Sequence, residues 1–248
     1  TKSMGRVAFI SDIHSNLVAL NAVLDDLKQF DIMEIWNLGD TIGYGPEPNG
    51  VIQKLREIDA TCVLGNHDAA AVGIIDTENF NPVAKLAINW TATQINNSHS
   101  EWLKKLPQIH EQHDWIFTHG TLRSPLWEYL IEKNTILAHF SIQKNRFSAV
   151  GHTHLPAITS LDEQGEISTT RPLENNTIMK PNGLKVCLNP GSVGQPRNGD
   201  PRASYALADL ATGEVEFRRV AYDLKKTQQA IRKNQLPEWL ALRLETGT

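Results

Sequence analysis

The chain has 248 residues, of which 40% are hydrophobic and 21% charged, and its formal net charge is -4. This composition is typical of a globular protein, and the negative charge argues against general binding to nucleic acid or to a membrane surface. No apolar run reaches the roughly 18 residues of a membrane span, and no signal peptide is predicted. The two cysteines are too few for a disulfide framework. We therefore expect a soluble, cytoplasmic protein.

The N-terminal part of the sequence alternates short apolar runs with amphipathic stretches. Its predicted elements are, in order, strand 6–10, helix 15–30, strand 33–39, helix 49–58 and strand 61–65. Ser15 or Asn16 would cap the first helix. Strands that alternate with helices indicate parallel crossovers, with helices packed on the faces of a sheet.

After residue 80 the pattern changes. Helices are predicted at 81–95, with Asn81 as its cap, and at 100–107, followed by a strand at 113–120. Short runs then predict antiparallel meanders of strands at 147–150, 157–161, 166–169, 185–189, 204–210 and 214–220. The last stretch predicts two short helices divided near Pro237. We expect one α/β domain over residues 1–248, with a core from about 5 to 220 and a helical tail from about 222 to 246.

Polar side chains follow these predicted strands directly. The seven candidate metal ligands are Asp12, His14, Asp40, Asn66, His119, His152 and His154. In open α/β sheets, ligand sites form at the C-terminal ends of the strands. Taken singly, Asp12 or Asn66 is more typical of a helix cap, and His119 of a hydrogen-bonded loop histidine. Their recurrence at successive strand ends favours a common site.

The ligand types indicate the kind of metal. Carboxylates, imidazoles and an amide oxygen without thiolates suit Mn²⁺, Fe, Zn²⁺, Co²⁺ or Ni²⁺ rather than a structural cysteine-type zinc site. Seven ligands are too many for one ion. We therefore predict two divalent ions that share a bridging carboxylate, at a separation of roughly 3.5–4 Å.

The order of these motifs resembles that of the calcineurin-like metallophosphoesterase superfamily. The family blocks D-x-H, G-D, G-N-H-[DE], a lone H and G-H-x-H correspond here to DIH, GD, GNHD, THG and GHTH, all within residues 12–154. The segment LNPGSVGQPR at 188–197 also resembles a loop of the small, lid-less prokaryotic branch. The resemblance implies an α/β fold of two packed mixed β-sheets, a β-sandwich, flanked by α-helices.

The resemblance also implies a division of the ligands. One ion would be bound by Asp12, His14 and His154, the other by Asn66, His119 and His152, with Asp40 bridging the two. The implied activity is hydrolysis of a phosphomonoester or phosphodiester by a hydroxide that bridges two divalent ions, with Mn²⁺ favoured. The substrate would be a small phosphorylated molecule, with nucleotides among the candidates. His67, which is not a ligand in the family pattern, would be catalytic, and Asp68 would orient His67 or cap the next helix.

One block departs from the family pattern. The segment GDTIGYGPEP at 39–48 lacks the arginine that protein serine/threonine phosphatases and symmetrical diadenosine tetraphosphate hydrolases carry there, which argues against both activities. Arg197, or with less support Arg123, would supply a phosphate contact instead, with a structural ion pair as the alternative for Arg197.

Two other functions stay open. A catalytically silent interaction scaffold with this fold is one, although none of the seven ligand positions is degraded. A metal-dependent amidohydrolase-like enzyme is the other, although an H-x-H motif does not follow the first predicted strand. Four tryptophans serve either a homo-oligomer interface or core packing: Trp36, Trp102, Trp127 and Trp239.

Overall fold

The computed structural model describes residues 5–173 and 176–248. Strands and helices alternate up to residue 71, two further helices follow up to residue 104, strands dominate from 109 to 220, and two helices end the chain. The strands are β1 (Arg6–Ile10), β2 (Ile32–Asn37), β3 (Thr61–Cys62), β4 (Ile109–Gln112), β5 (Trp115–Thr118), β6 (Phe147–Ala149), β7 (Ala157–Leu161), β8 (Ile167–Thr170), β9 (Thr177–Met179), β10 (Lys185–Asn189), β11 (Ala203–Asp209) and β12 (Val215–Val220). The helices are α1 (Leu17–Leu27), α2 (Pro48–Glu57), α3 (Asn66–Ala71), α4 (Pro82–Gln94), α5 (Asn97–Lys104), α6 (Lys133–Ile142), α7 (Leu224–Lys233) and α8 (Glu238–Thr246). Within the described ranges, no helix is long and apolar enough to cross a membrane.

The strands form two mixed sheets of six strands each. Sheet A has the order β3-β2-β1-β11-β12-β9, in which β1, β2 and β3 run parallel and the other pairs antiparallel. Sheet B has the order β4-β5-β6-β10-β7-β8, with β5, β6 and β10 parallel. The predicted architecture of two packed mixed sheets flanked by helices is confirmed.

Apolar side chains from both sheets form the central core. The ring of Phe9 on β1 lies 5.0 Å from that of Trp115 on β5, and the ring of Trp36 on β2 lies 5.0 Å from that of Phe117. Because successive strand residues face opposite sides of a sheet, the neighbour of Phe9, Ile10, packs instead in the cluster that includes α1 and α2. Helix α6 covers the outer face of sheet B. The sandwich core thus fixes the two sheets against each other.

Most predicted elements correspond to elements of the structure. Asn16 caps α1, where its Oδ1 accepts a hydrogen bond from the backbone N–H of Ala19 at 3.1 Å. Helices α7 and α8 lie on either side of Pro237. Helices α3 and α6 and strands β4 and β9 were not predicted.

The prediction of antiparallel meanders after residue 147 is confirmed only in part. Strand β10 lies parallel to β6, and β11 pairs with β1 at the far N-terminus of the chain. Of the consecutive strands in this region, β7–β8 and β11–β12 form antiparallel pairs. The strands are divided between two sheets because each sheet buries one face in the shared core. Local turn signals do not encode that division.

The four tryptophans considered for an interface have different surroundings. Trp36 is fully buried in the central core, and Trp102 is partly buried in the cluster beside α2. Trp127 lies at the candidate site described below, and Trp239 on α8 is 51% exposed. An oligomeric state stays a prediction.

Candidate metal centre

The structure brings the seven predicted ligands together. They lie where the C-terminal ends of β1, β2 and β3 meet those of β5 and β6, and none of them is more than 5% exposed. Two groups have ligand atoms within 4.8 Å of one another: Asp12 with His14 and His154, and Asp40 with His119 and His152. The amide of Asn66 joins the second group, since its Oδ1 lies 3.2 Å from Nε2 of His119.

The backbone around these residues has an uncommon conformation. Five of the seven have φ between 47° and 70°, a region that residues other than glycine rarely adopt: Asp12, His14, Asp40, His152 and His154. Such strain concentrates at functional sites, where the surrounding structure maintains it. Two glycines permit the close approach. A Cβ on Gly65 would overlap Asp40, and a Cβ on Gly151 would overlap Ser11 and approach the Asp12 carboxylate.

Each carboxylate uses one oxygen to hold the backbone and points the other at the imidazoles. Oδ2 of Asp12 accepts hydrogen bonds from Ser11 Oγ at 2.7 Å and from the N–H of His152 at 3.1 Å, while Oδ1 lies 3.2 Å from Nε2 of His154. Oδ1 of Asp40 accepts from the backbone N–H of His67 at 2.9 Å. Its Oδ2 lies 3.2 Å from Nε2 of His119 and 3.7 Å from Nε2 of His14, so this one oxygen faces an imidazole of each group.

Each of the four imidazoles donates one N–H to a backbone carbonyl. The pairs are His14 Nδ1 to Ile42 at 3.1 Å, His119 Nδ1 to Leu38 at 2.8 Å, His152 Nε2 to Trp127 at 3.2 Å and His154 Nδ1 to Gln195 at 2.5 Å. Because a carbonyl only accepts, the proton of each neutral ring is fixed on that nitrogen. When the ring is neutral, the other nitrogen therefore presents a lone pair, as in metal-binding histidines whose outer hydrogen bond sets the tautomer.

These lone pairs point at one another. Nε2 of His14 lies 3.2 Å from Nε2 of His154, and Nε2 of His119 lies 3.1 Å from Nδ1 of His152. Oδ1 of Asp12, also buried, has no hydrogen-bond partner among the described residues. Facing acceptors without a donor are costly in a buried site, and a cation between them removes that cost. The donor set therefore fits two divalent cations.

The electrostatics of the cluster agree with this fit. Burial lowers the pKa of His14 well below its usual value and that of His152 to about 3, which keeps both rings in the neutral, ligand form. For His119, burial opposes protonation, but the carboxylate of Asp40 outweighs it and raises the pKa to about 9. For Asp40, burial alone would raise the pKa, yet the neighbouring imidazoles, His119 first, lower it well below the usual range. The negative field that draws a proton to His119 would equally draw a cation.

Comparison with known proteins now decides the family. Residues 6–213 match the calcineurin-like phosphoesterase superfamily domain. The chain belongs to this superfamily. An uncharacterised protein of Methanocaldococcus jannaschii, MJ0912, is 41% identical, with 99% of both chains covered. The crystal structure of a metallophosphoesterase from Sphaerobacter thermophilus has a TM-score of 0.87 at 38% identity and covers 98% of this chain and 99% of that one. The Escherichia coli phosphodiesterase YfcE is 27% identical over 83% of this chain and 88% of its own length.

His67, the predicted catalytic residue of this phosphoesterase-family chain, lies beside the ligands. Its ring centroid is 4.9 Å from that of His14, 4.5 Å from that of Tyr44 and 5.1 Å from that of Phe80. Burial lowers the pKa of His67 to about 4, and its Nδ1 is buried without a hydrogen-bond partner in the described part of the chain. The imidazole is therefore neutral near pH 7, and no hydrogen bond from the described part of the chain occupies its Nδ1.

The suggestion that Asp68 orients His67 is wrong, and its alternative, a cap, describes the structure. The Asp68 carboxylate accepts hydrogen bonds from the backbone N–H groups of Gly65 and Ile42, both at 3.0 Å. Asp68 thus ties the start of α3 to the loop after β2. Burial, with a contribution from the charge of Asp40, raises the pKa of Asp68 to about 7.

The two candidate arginines differ in position. Arg197 lines a cavity of about 160 Å³ together with His67, His152 and His154. Its Nη2 donates to Gln195 Oε1 at 2.8 Å, and its buried Nε has no partner among the described residues. Arg123 pairs with Glu128 on the exposed surface, so the suggestion that it contacts phosphate is wrong.

Sequence reasoning missed the aromatic lining of the same cavity. Tyr44 and Phe80 come from two different loops, Trp127 and Tyr129 share a third, and the three segments share no motif. Tyr44 lies within the segment 39–48, where the departure from the family pattern was the one available signal. For Phe80 and Tyr129 the sequence held no signal, because loop packing alone brings them to the cavity.

Proposed function

We propose that this chain is a metal-dependent phosphoesterase that hydrolyses a phosphomonoester or phosphodiester at the candidate metal centre. One observation carries the proposal: Oδ2 of Asp40 lies within 3.7 Å of an imidazole nitrogen from each ligand group. A single carboxylate oxygen in that position suits a bridge between two cations. Membership of the superfamily supplies the reaction class.

The proposed ligand sets follow from the two groups. Asp12, His14 and His154 would hold one ion, Asn66, His119 and His152 the other, and Asp40 both. When bound, two divalent cations lower the pKa of a water molecule to give a nucleophile and polarise the phosphoryl oxygens. The ligand types accept several ions, with Mn²⁺ our first choice.

We assign His67 to charge stabilisation at the reacting phosphate. Its pKa of about 4 leaves the ring neutral near pH 7, with one N–H to donate. A neutral donor in a buried site stabilises charge that develops on a phosphoryl or leaving oxygen, and such help is worth about 10²–10⁴-fold in rate. The ring already lies against His14, next to one ligand group.

Arg197 would bind the non-reacting phosphate oxygens. Its guanidinium lines the cavity and keeps donors that the scaffold does not use. Charge-assisted hydrogen bonds from arginine to phosphate are strong and directional. The proposed substrate is thus a small anionic ester.

A reducing compartment such as the cytoplasm is consistent with Cys62 and Cys187, which are both buried and free.

A panel of phosphoesters tests the proposed function. The protein is stripped with a chelator, reloaded with Mn²⁺, and assayed against p-nitrophenyl phosphate, bis-p-nitrophenyl phosphate and nucleotides. We expect hydrolysis of at least one class that depends on added metal. Full metal loading, measured by elemental analysis, with no turnover of any ester would contradict the proposal and favour a silent scaffold.

A further inference from the structure

We propose that the rings of Tyr129 and Trp127 form a stacking subsite for a flat aromatic group, of the nucleobase kind, carried by the phosphate ester. The inference rests on the proposed function, which places the phosphate beside these rings. It adds the chemical class of the rest of the substrate.

Tyr129 is a partly exposed ring beside the metal centre. Its ring is stacked on that of His152, with centroids 3.9 Å apart and planes 7° from parallel. The residue is nevertheless 45% exposed. His152 covers one face of the ring, and Tyr129 also lines the cavity beside the ligands. A planar group attached to a phosphate at the ligands would therefore lie next to this ring.

Trp127 lines the same cavity as Tyr129. Its ring lies 5.0 Å from that of Phe80, which in turn lies 5.1 Å from that of His67. The backbone carbonyl of Trp127 accepts a hydrogen bond from Nε2 of His152 at 3.2 Å. The ring is half-buried and borders the cavity. Both aromatic residues are therefore fixed to the same histidine, one through its ring and one through its backbone.

The loop that carries these rings is held in place by its own contacts. Gly120 N donates to the carbonyl of Pro125 at 2.5 Å, and Thr121 Oγ1 donates to Glu128 Oε2 at 2.5 Å. The backbone N–H of Leu122 donates to Nδ1 of the buried His139 at 3.1 Å. A ring that is already ordered loses little entropy on binding, which favours recognition by stacking.

Core packing accounts in part for Trp127 but not for Tyr129. Tyr44 and Phe80 also line the cavity and pack with apolar clusters. Trp127 packs against a small apolar cluster around Leu126 and stays partly exposed. Tyr129 belongs to no apolar cluster of the described residues and is 45% exposed beside the buried ligands. Arg197 lines the same cavity and would provide the cationic contact for the phosphate. An anionic group and a flat apolar group, joined in one molecule, match this pairing.

Two ligands that differ only in the base test the subsite. Adenosine 5′-monophosphate and ribose 5-phosphate carry the same sugar and phosphate. Their binding to the Mn²⁺-loaded protein is measured by calorimetry, and their inhibition of p-nitrophenyl phosphate hydrolysis from initial rates. We expect the adenine-bearing ligand to bind about 10-fold more tightly or better, the usual range for base–aromatic stacking.

Ring variants locate the effect. Tyr129→Leu and Trp127→Leu should each reduce the ratio of the two affinities by about 5-fold or more, while Tyr129→Phe, which keeps the ring, should preserve it. Trp239→Leu is the matched control, because Trp239 is an exposed ring on α8, outside the cavity lining. Circular dichroism verifies that each variant is folded. If a variant does not fold, the ratio of the two affinities in the wild-type protein still decides whether the subsite exists.

The outcomes separate the subsite from the proposed function. Equal affinity for the two ligands, or binding of neither, overturns the subsite whether or not esters are hydrolysed. A ratio that falls equally in Trp239→Leu also overturns it. Base-dependent binding with no hydrolysis of any ester in the panel would instead leave the subsite standing and contradict the proposed function.

Discussion

Sheet A and sheet B contribute different chemistry to the candidate metal centre. The ends of β1, β2 and β3 in sheet A supply both carboxylates, the amide of Asn66 and one imidazole, His14. The ends of β5 and β6 in sheet B supply imidazoles alone, from His119, His152 and His154. Each ligand group takes members from both sheets. Neither sheet by itself presents a complete group, so the packing of the sandwich creates the site.

The two sheets also have different electrostatic roles at the candidate metal centre. Sheet A carries the negative charge of the ligand set, and that charge acts on His119 in sheet B. Burial alone would keep His119 neutral, yet the carboxylate of Asp40, which follows a strand of the other sheet, raises its pKa to about 9. The carboxylates thus act on ligands of both sheets, and Oδ2 of Asp40 faces an imidazole of each ligand group. Changes on sheet A should therefore have wider effects than changes on sheet B.

Asp40→Asn is expected to have the largest effect. Because Oδ2 of Asp40 faces imidazoles of both groups, the neutral amide should release both cations together. Loss of metal-supplied stabilisation, several kcal/mol, corresponds to about 10³-fold or more in kcat/KM. Elemental analysis of the purified variant, with ester hydrolysis in parallel, measures both.

Two further variants sharpen this comparison of the sheets. His154→Asn, on the sheet B side, should release one ion and leave the other bound. Asp76→Asn changes an exposed acidic residue outside the site and should leave metal content and rate unchanged. If Asp40→Asn retains one equivalent of metal, the bridging assignment is wrong.

His67→Ala should reduce turnover and spare the metal. The side chain belongs to neither ligand group, so elemental analysis should show normal loading. We expect kcat to fall by about two orders of magnitude or more, since a positioned donor contributes about that much. The exposed His113→Ala variant, in the β4–β5 turn, serves as control. Full activity in His67→Ala would remove the residue from the mechanism.

Arg197→Ala should act mainly on substrate binding. Hydrogen bonds to a charged group contribute about 1.5–3 kcal/mol, or about 10- to 100-fold in KM if Arg197 grips the phosphate. Arg123→Ala is the matched control, because that guanidinium is paired with Glu128 on the surface. Equal kinetics in the two variants would return Arg197 to a structural role.

The ligands could be predicted from sequence because strand ends fix them locally. Asp12, Asp40 and Asn66 each follow a strand in a parallel crossover unit, and the topology of such units places their C-terminal ends at one edge. The cap at Asn16 was predictable for the same reason, since it depends on contacts within one turn.

The rest of the site depends on tertiary packing. Strand β10 lies between β6 and β7, and nothing in its five residues specifies those neighbours. Tyr129 reaches His152 through a loop whose shape depends on a contact to α6, at His139. Asp68 illustrates the converse: its place next to His67 suggested a pair, whereas its carboxylate points back to Gly65 and Ile42. Adjacency in sequence does not give the direction of a side chain at a helix start.

His139 links sheet B to the loop that carries the stacking subsite. Substitution of His139 should have the smallest effect of these variants, and on stability alone. It is fully buried on α6, where its Nδ1 accepts from Leu122 N and its Nε2 lies 3.0 Å from Ser148 Oγ. Burial lowers its pKa from 6.5 to about 4. Between these values the unfolded chain holds a proton that the folded chain does not, so the free energy of unfolding rises with pH. The stabilisation is fully present above about pH 6.5 and is lost as the pH falls toward about 4.

From pH 7 to pH 5, this single group should lower the free energy of unfolding by about 2 kcal/mol. His139→Gln cannot titrate, so urea denaturation should show a drop over that interval smaller by about the same amount. The metal ligands titrate in both proteins, and comparing the two drops cancels their contribution. Equal drops in the two proteins would mean that His139 is protonated in the folded state as easily as in the unfolded chain. The hydrogen bond from the backbone N–H of Leu122 needs an unprotonated Nδ1 on His139. In that case this bond could not be the contact that holds the loop with Trp127 and Tyr129 against sheet B.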